Sequence, residues 1–214
     1  MITIDKVSTC GWEPAIRGMR NPKNSWDRSD SVFNPWDYPT LGCRDLELAN
    51  ALAKGGPVHA KYRRMIDVYL DITAPLYWWK EHDQYKVGTT TNSCSTMHKI
   101  HAKEFTIEDF SCEHLIDTCL LERVINELNI YRDIYNNYDK QTEQYKTEFS
   151  KKHIWLQMIQ LLPSSYNQKR TVKLNYQVLK NMYHARKTHK LKEWRDFCAL
   201  AETLPYFKEI CIEV

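Results

Sequence analysis

Apolar positions along this chain change their period several times. Ile2, Ile4 and Val7 fall in a short alternating run over residues 1–10, which predicts a strand. Residues 11–41 carry four of the eight prolines, three tryptophans and many Asn, Asp and Ser, and predict irregular, turn-rich chain. From Arg44 the spacing turns helical: Leu46, Ala49, Leu52 and Ala53 recur on one side, and Gly55-Gly56 is a natural stop. Ile66, Val68, Leu70 and Ile72 then alternate with Asp67, Tyr69 and Asp71, the period of a half-buried strand. Ala74-Pro75 ends that run, and Thr73 is placed to cap a short helix over Leu76–His82.

Beyond this point the pattern is mostly helical. Apolar residues at helical spacing run through Glu113–Asn137, and Thr142–Leu162 closes on IWLQMIQLL before Pro163. Val172–Arg186 and Leu191–Ala201 complete a helical C-terminal half. Strands in one region followed by clustered helices predict an α+β fold with an antiparallel or mixed sheet. The expected organisation is a single domain over 1–214, with an irregular N-terminal region at 1–41 and a core over 42–214.

Composition narrows the class of protein. A hydrophobic fraction of 43% and a charged fraction of 27% are ordinary for a globular chain. The net charge of +3 tolerates anionic ligands without predicting nucleic-acid or membrane-surface binding. No apolar run approaches the roughly 18 residues of a membrane span. The start, MITIDKVSTC, lacks the basic and apolar regions of a signal peptide, so a cytoplasmic protein is expected. Seven cysteines without a CxxC pair fit a reducing compartment. The 7 Trp and 13 Tyr suit either a core and subunit interfaces or stacking surfaces for a planar ligand.

Local chemistry is sparse. There is no Walker loop, GxGxxG, GxSxG or HExxH. Cys94, His98 and His101 stand at i, i+4 and i+7, a spacing that on a helix aligns a thiolate and two imidazoles for zinc. His114 or Cys112 is a possible fourth ligand, but local clusters of this kind are often accidental. Cys94 as a nucleophile with His98 as base is a further alternative, against the commoner structural role of cysteine. The stretch around these residues, WWKEHDQYKVGTTTNSCSTMHK, is too polar for core and too aromatic for a linker.

Three segments, in order, resemble the flavin-dependent thymidylate synthases. That family carries Arg-His-Arg, a spacer, and Asn-Glu-x-Ser-x-Arg-Tyr after a strand, an Ala-Pro-type break and a short helix. Here Ile66–Ile72, Ala74-Pro75 and Leu76–Asp83 form the approach, and the triplet position reads Gln84-Tyr85-Lys86. Asn92-Ser93-Cys94-Ser95-Thr96-Met97-His98 occupies the second half after a slightly longer spacer. Leu162-Pro163 resembles the family's Leu-Pro, and Asn175–Asn181 followed by Arg186 resembles its Asn-x-Arg-x-Leu-x-Asn helix and trailing arginine. Leu191–Arg195, LKEWR, resembles the family's AQWEIR, and the whole resemblance covers roughly residues 45–210.

The resemblance implies a homotetramer with active sites between subunits. It implies FAD beside Gln84, Tyr85, Lys86, Asn175 and Asn181, and a pyrimidine nucleotide such as dUMP beside Asn92, Ser95 and Arg186. In the family, methylenetetrahydrofolate supplies the methyl group, reduced flavin the hydride, and NADPH reduces the flavin; no enzyme cysteine is needed. The departures are in the cations. Lys86 alone keeps a charge in the triplet, and Met97, Ile159 and Gln177 stand where the family has arginine. Lys61, Arg63, Arg64, Lys169 and Arg170 are candidate replacements, each with an alternative reading as a solvated charge.

Two functional readings follow: a divergent flavin-dependent enzyme acting on a pyrimidine nucleotide, and a non-catalytic nucleotide- or protein-binding descendant. The Cys94/His98/His101 metal site is a weaker third. Each retained residue also has a structural reading. Ser95 can make a turn, Asn175 a helix cap, Asn181 an exposed helix position, and Arg186 a complement to a helix dipole.

Overall fold

The computed structural model describes residues 1–34 and 38–213. Four strands, β1 (Thr3–Cys10), β2 (Asp67–Pro75), β3 (Thr90–Ser93) and β4 (Asn167–Asn175), form an antiparallel sheet in the order β1-β2-β4-β3. The N–H of Tyr176 donates to the carbonyl of Ile66, and that of Leu76 to Tyr166, so β2 and β4 run in opposite directions. The principal helices are α1 (Trp12–Arg20), α2 (Cys43–Lys54), α3 (Leu76–His82), α4 (Cys119–Asn136), α5 (Glu143–Glu148), α6 (Lys151–Leu161), α7 (Tyr176–Arg186) and α8 (Lys192–Ala201). The α+β expectation holds, and β2, α2, α3 and α8 lie where the periodicity placed them.

The chain divides into two compact units. One comprises Met1, Thr73–Lys80 and Ser93–Arg170. Its core joins Ile100, Phe105, Phe110, Leu121, Ile125, Leu128 and Met158, which brings α4 against α6. The other comprises Ile2–Ile72, Glu81–Asn92 and the chain from Thr171. Its core is aromatic: Trp12 meets Tyr176 edge-on at 5.2 Å, and Trp194 meets Phe197 at 5.8 Å.

Several expectations are corrected. Residues 12–20 are helical rather than irregular. Trp12, Ala15, Ile16, Met19 and Arg20 are buried at helical spacing, and Pro14 sits in the first turn, where its missing N–H costs nothing. Gly11 starts this helix at φ 82, and a Cβ there would lie 2.1 Å from the Met65 carbonyl oxygen, so a side chain is excluded. Thr73 lies inside β2 and does not cap α3. The helix expected from Glu113 begins at Cys119. The helix expected over 142–162 breaks at Phe149 and restarts at Ser150, whose Oγ accepts from the His153 N–H at 3.3 Å. Val172–Asn175 is strand: Gln168, Val172 and Leu174 are buried at alternating positions, and the helix begins at Tyr176.

A buried ion pair anchors the N-terminal region. Arg20 Nε donates to Asp45 Oδ1 at 2.6 Å, and the side chains are 4% and 0% exposed. Burial acts to raise the Asp45 carboxyl, but hydrogen bonds from Ser31, Ser29 and Arg20 and from the Asp30 N–H outweigh it and hold the group below the usual carboxylate range.

Candidate functional site

The strongest polar constellation joins the end of α3, the turn after it, the end of α7 and the start of α8. One carboxylate oxygen, Glu81 Oε2, accepts from Arg186 Nη1 at 2.7 Å and from Trp194 Nε1 at 2.9 Å, and lies 3.4 Å from His189 Nε2. Arg186 Nε donates to the Tyr85 hydroxyl at 3.0 Å. The guanidinium carbon lies 4.8 Å from the Trp194 ring centroid and 5.7 Å from that of Tyr85, so the cation rests on aromatic faces. Trp194 is fully buried and its ring is also stacked with His82. Local sequence explains the placement: α3 is short, so its last turn carries Glu81, and Arg186 closes α7, where a cation complements the dipole.

Two of the expected site residues, Tyr85 and Arg186, are thus brought into contact, but with each other and with a neutralising carboxylate. Asn175 is the N-cap of α7; its Oδ1 accepts from the Val178 N–H at 3.0 Å. Its amide also lies against Gly88, where φ is 79 and a Cβ would be 3.1 Å from Nδ2. The Asn181 Oδ1 accepts from Gln177 Nε2 at 3.0 Å on an exposed surface. Gln84, Lys86 and Asn92 are exposed. Ser95 belongs to the other unit, where its Oγ accepts from the N–H groups of Met97 and His98 at 3.2 and 2.9 Å. These are the bonds of a serine-led turn.

That turn removes the zinc alternative. Thr90–Ser93 is strand and the chain after it is turn, so Cys94, His98 and His101 share no helix face. Among the described residues no group of three or more His, Cys, Asp or Glu could hold a metal ion. Trp78 and Trp79, at the head of the same stretch, are core residues at 0% and 1% exposure.

Two of the proposed replacement cations are committed within the chain. Arg63 is buried and donates to the Ile210 carbonyl. Arg170 lies 4.2 Å over the Trp79 ring and donates to Gln168 Oε1 at 2.9 Å. Lys61, Arg64 and Lys169 are exposed.

A flavin dinucleotide brings a diphosphate, whose charge cations or backbone N–H groups can balance. Around the triplet, Arg186 is paired with Glu81 and its Nε and Nη1 are already engaged, while Lys86 is exposed. Sequence reasoning missed Glu81, His189 and Trp194. Glu81 stands between Lys80 and His82 at the polar end of a short helix, which gave no signal of its role, and LKEWR supplied only the tryptophan's register.

The element order and the sheet give this chain the fold of the solved flavin-dependent thymidylate synthases. One such protein, thymidylate synthase X from Helicobacter pylori with FAD and dUMP, superposes with a TM-score of 0.69 at 16% identity, covering 100% of this chain and 98% of that one. A second structure of the Helicobacter pylori flavin-dependent enzyme, also with FAD and dUMP, gives 0.67 at 16% identity and covers 98% of each chain. The UMP/dUMP methylase PolB from Streptomyces cacaoi, bound with 5-Br dUMP, gives 0.60 at 12% identity, covering 95% of this chain and 89% of that one. No protein-family profile matches the sequence, and no curated protein matches it.

Proposed function

We propose that this chain binds a pyrimidine mononucleotide on a flavin-dependent thymidylate synthase fold, without the flavin chemistry. The nucleotide part is supported by full-length likeness to structures that hold dUMP or 5-Br dUMP. The observation that carries the second part is the 2.7 Å Arg186–Glu81 pair, which neutralises the retained arginine beside a triplet reading Gln84-Tyr85-Lys86. On this reading Asn175, Asn181 and Arg186 are structural, while Ser95 remains an exposed polar group for the nucleotide. Calorimetry with dUMP and a FAD fluorescence titration test it: dUMP saturates the protein and FAD does not.

A second reading is flavin-dependent methyl transfer to a dUMP-type substrate. It uses FAD against Gln84, Tyr85, Lys86, Asn175 and Asn181, with methylenetetrahydrofolate as methyl donor and NADPH as reductant. Its support is that the Helicobacter pylori structures hold FAD as well as dUMP. A saturable flavin complex with turnover of dUMP establishes it in place of the first.

Under either reading the chain self-associates as a homotetramer. The aromatic residues of the C-terminal helices pack inside the chain: Tyr183, Trp194 and Phe197 are 7%, 0% and 1% exposed. Leu115, Ile116 and Leu120, at 52%, 104% and 72% exposed, are among the apolar residues that present a surface to a second copy. Among the described residues no helix is long and apolar enough to cross a membrane.

A further inference from the structure

α6 opens with Lys151, Lys152 and His153 and has no acidic residue in its first turn. The N-terminus of a helix is the positive end of its dipole, so three basic groups there oppose the field instead of complementing it. Lys151 and Lys152 line a cavity of about 450 Å³ together with Met97, His101, Tyr135 and Trp155. Among the described residues no acidic side chain lines it. Its walls are aromatic and fixed. The Trp155 Nε1 donates to the Met97 carbonyl at 2.8 Å, and the His101 ring lies 4.6 Å from Tyr135. The Lys151 ammonium sits 5.0 Å over the same Tyr135 ring.

His101 shows what the cavity lacks. Its Nδ1 is buried and makes no hydrogen bond. Burial, followed by the nearby charges of Lys99, Lys151 and Arg132, holds the imidazole below its ordinary pKa. Positive charge without a counter-charge, an unmet ring nitrogen and two aromatic walls are together complementary to an anion carrying a planar ring.

We propose that this cavity takes the phosphate of a nucleoside monophosphate, with Lys151 and Lys152 as counter-ions and the base against Trp155. The identity of the base rests on the nucleotide reading above; the anion site rests on the charge of the cavity alone. It also gives the chain phosphate recognition at residues that its thymidylate synthase-like segments do not contain.

Calorimetric titrations of the whole chain with dUMP, 2′-deoxyuridine and inorganic pyrophosphate test this on the wild type and on Lys151→Gln and Lys152→Gln. Both lysines are exposed, and circular dichroism checks that the variants keep the fold. The expected result is that dUMP binds more tightly than deoxyuridine. Each variant then weakens dUMP by about tenfold, the loss of one charge-assisted contact, and leaves deoxyuridine unchanged. If the variants bind dUMP like the wild type, this inference is overturned while the nucleotide reading stands. If dUMP does not bind but pyrophosphate binds through the lysines, the anion site stands and the nucleotide reading falls. Binding of neither overturns both.

Discussion

Removing the Glu81 carboxylate should destabilise the C-terminal part of the chain more than its half-exposed position suggests. In Glu81→Ala, the fully buried Trp194 indole N–H loses its acceptor, which costs about 1–3 kcal/mol. The Arg186 side chain is 21% exposed, so the loss of its ion pair is partly screened and adds roughly 1 kcal/mol. The sum is on the order of 3 kcal/mol. Glu81→Gln keeps an acceptor oxygen for Trp194 and should cost only about 1–2 kcal/mol. Urea unfolding followed by tryptophan fluorescence measures both, and the Glu81→Ala/Arg186→Ala cycle should return a coupling of about 1–2 kcal/mol. A Glu81→Ala protein within about 0.5 kcal/mol of wild type would refute the idea of a structural hub. So would a zero coupling accompanied by a large loss of dUMP affinity in Arg186→Ala, because the arginine would then belong to the ligand.

Other outcomes follow from the same geometry. The Asp45 pKa is lowered on folding, so its contribution is fully present above the unfolded carboxylate pKa, near 4, and is lost as pH falls through the lower folded value. Asp45→Asn should therefore lower stability at neutral pH and flatten the acid limb of the thermal melting profile; an unchanged limb refutes the assignment. Gly11→Ala places a Cβ 2.1 Å from the Met65 carbonyl at positive φ and should cost about 2–3 kcal/mol or prevent folding, read from the melting temperature. If the chain forms the proposed tetramer, Ile116→Glu, at a fully exposed apolar position, should convert it to smaller species in light scattering while leaving circular dichroism unchanged; an unchanged mass refutes this interface.

What the sequence disclosed depended on how locally each feature is determined. β2 and α3 were legible because alternation and Pro75 lie within a few residues of the boundary they mark. β4 was not, since Val172 and Leu174 read equally as the first turn of the helix that follows. α1 was hidden by Pro14 and the polar chain around it, although its buried positions keep helical spacing. In the candidate site, Tyr85 and Arg186 were identified by register with a known family, and they do touch. Their shared partner Glu81 was not, because the bond to Arg186 closes a separation of 105 residues that no local pattern encodes. Lys151 and Lys152 carry no local pattern that marks a site; only the fold sets Met97 and His101 beside them. Asn175 shows the opposite case: its capping role was readable from the residue type alone and is what the structure contains.

The central claim is nucleotide binding that does not depend on flavin. Calorimetric titration of dUMP into the purified chain, first without FAD and then with excess FAD, tests it most directly. The account predicts saturable binding in the first titration and the same affinity in the second. Binding that appears only after FAD is added would contradict it and return the chain to flavin-dependent chemistry.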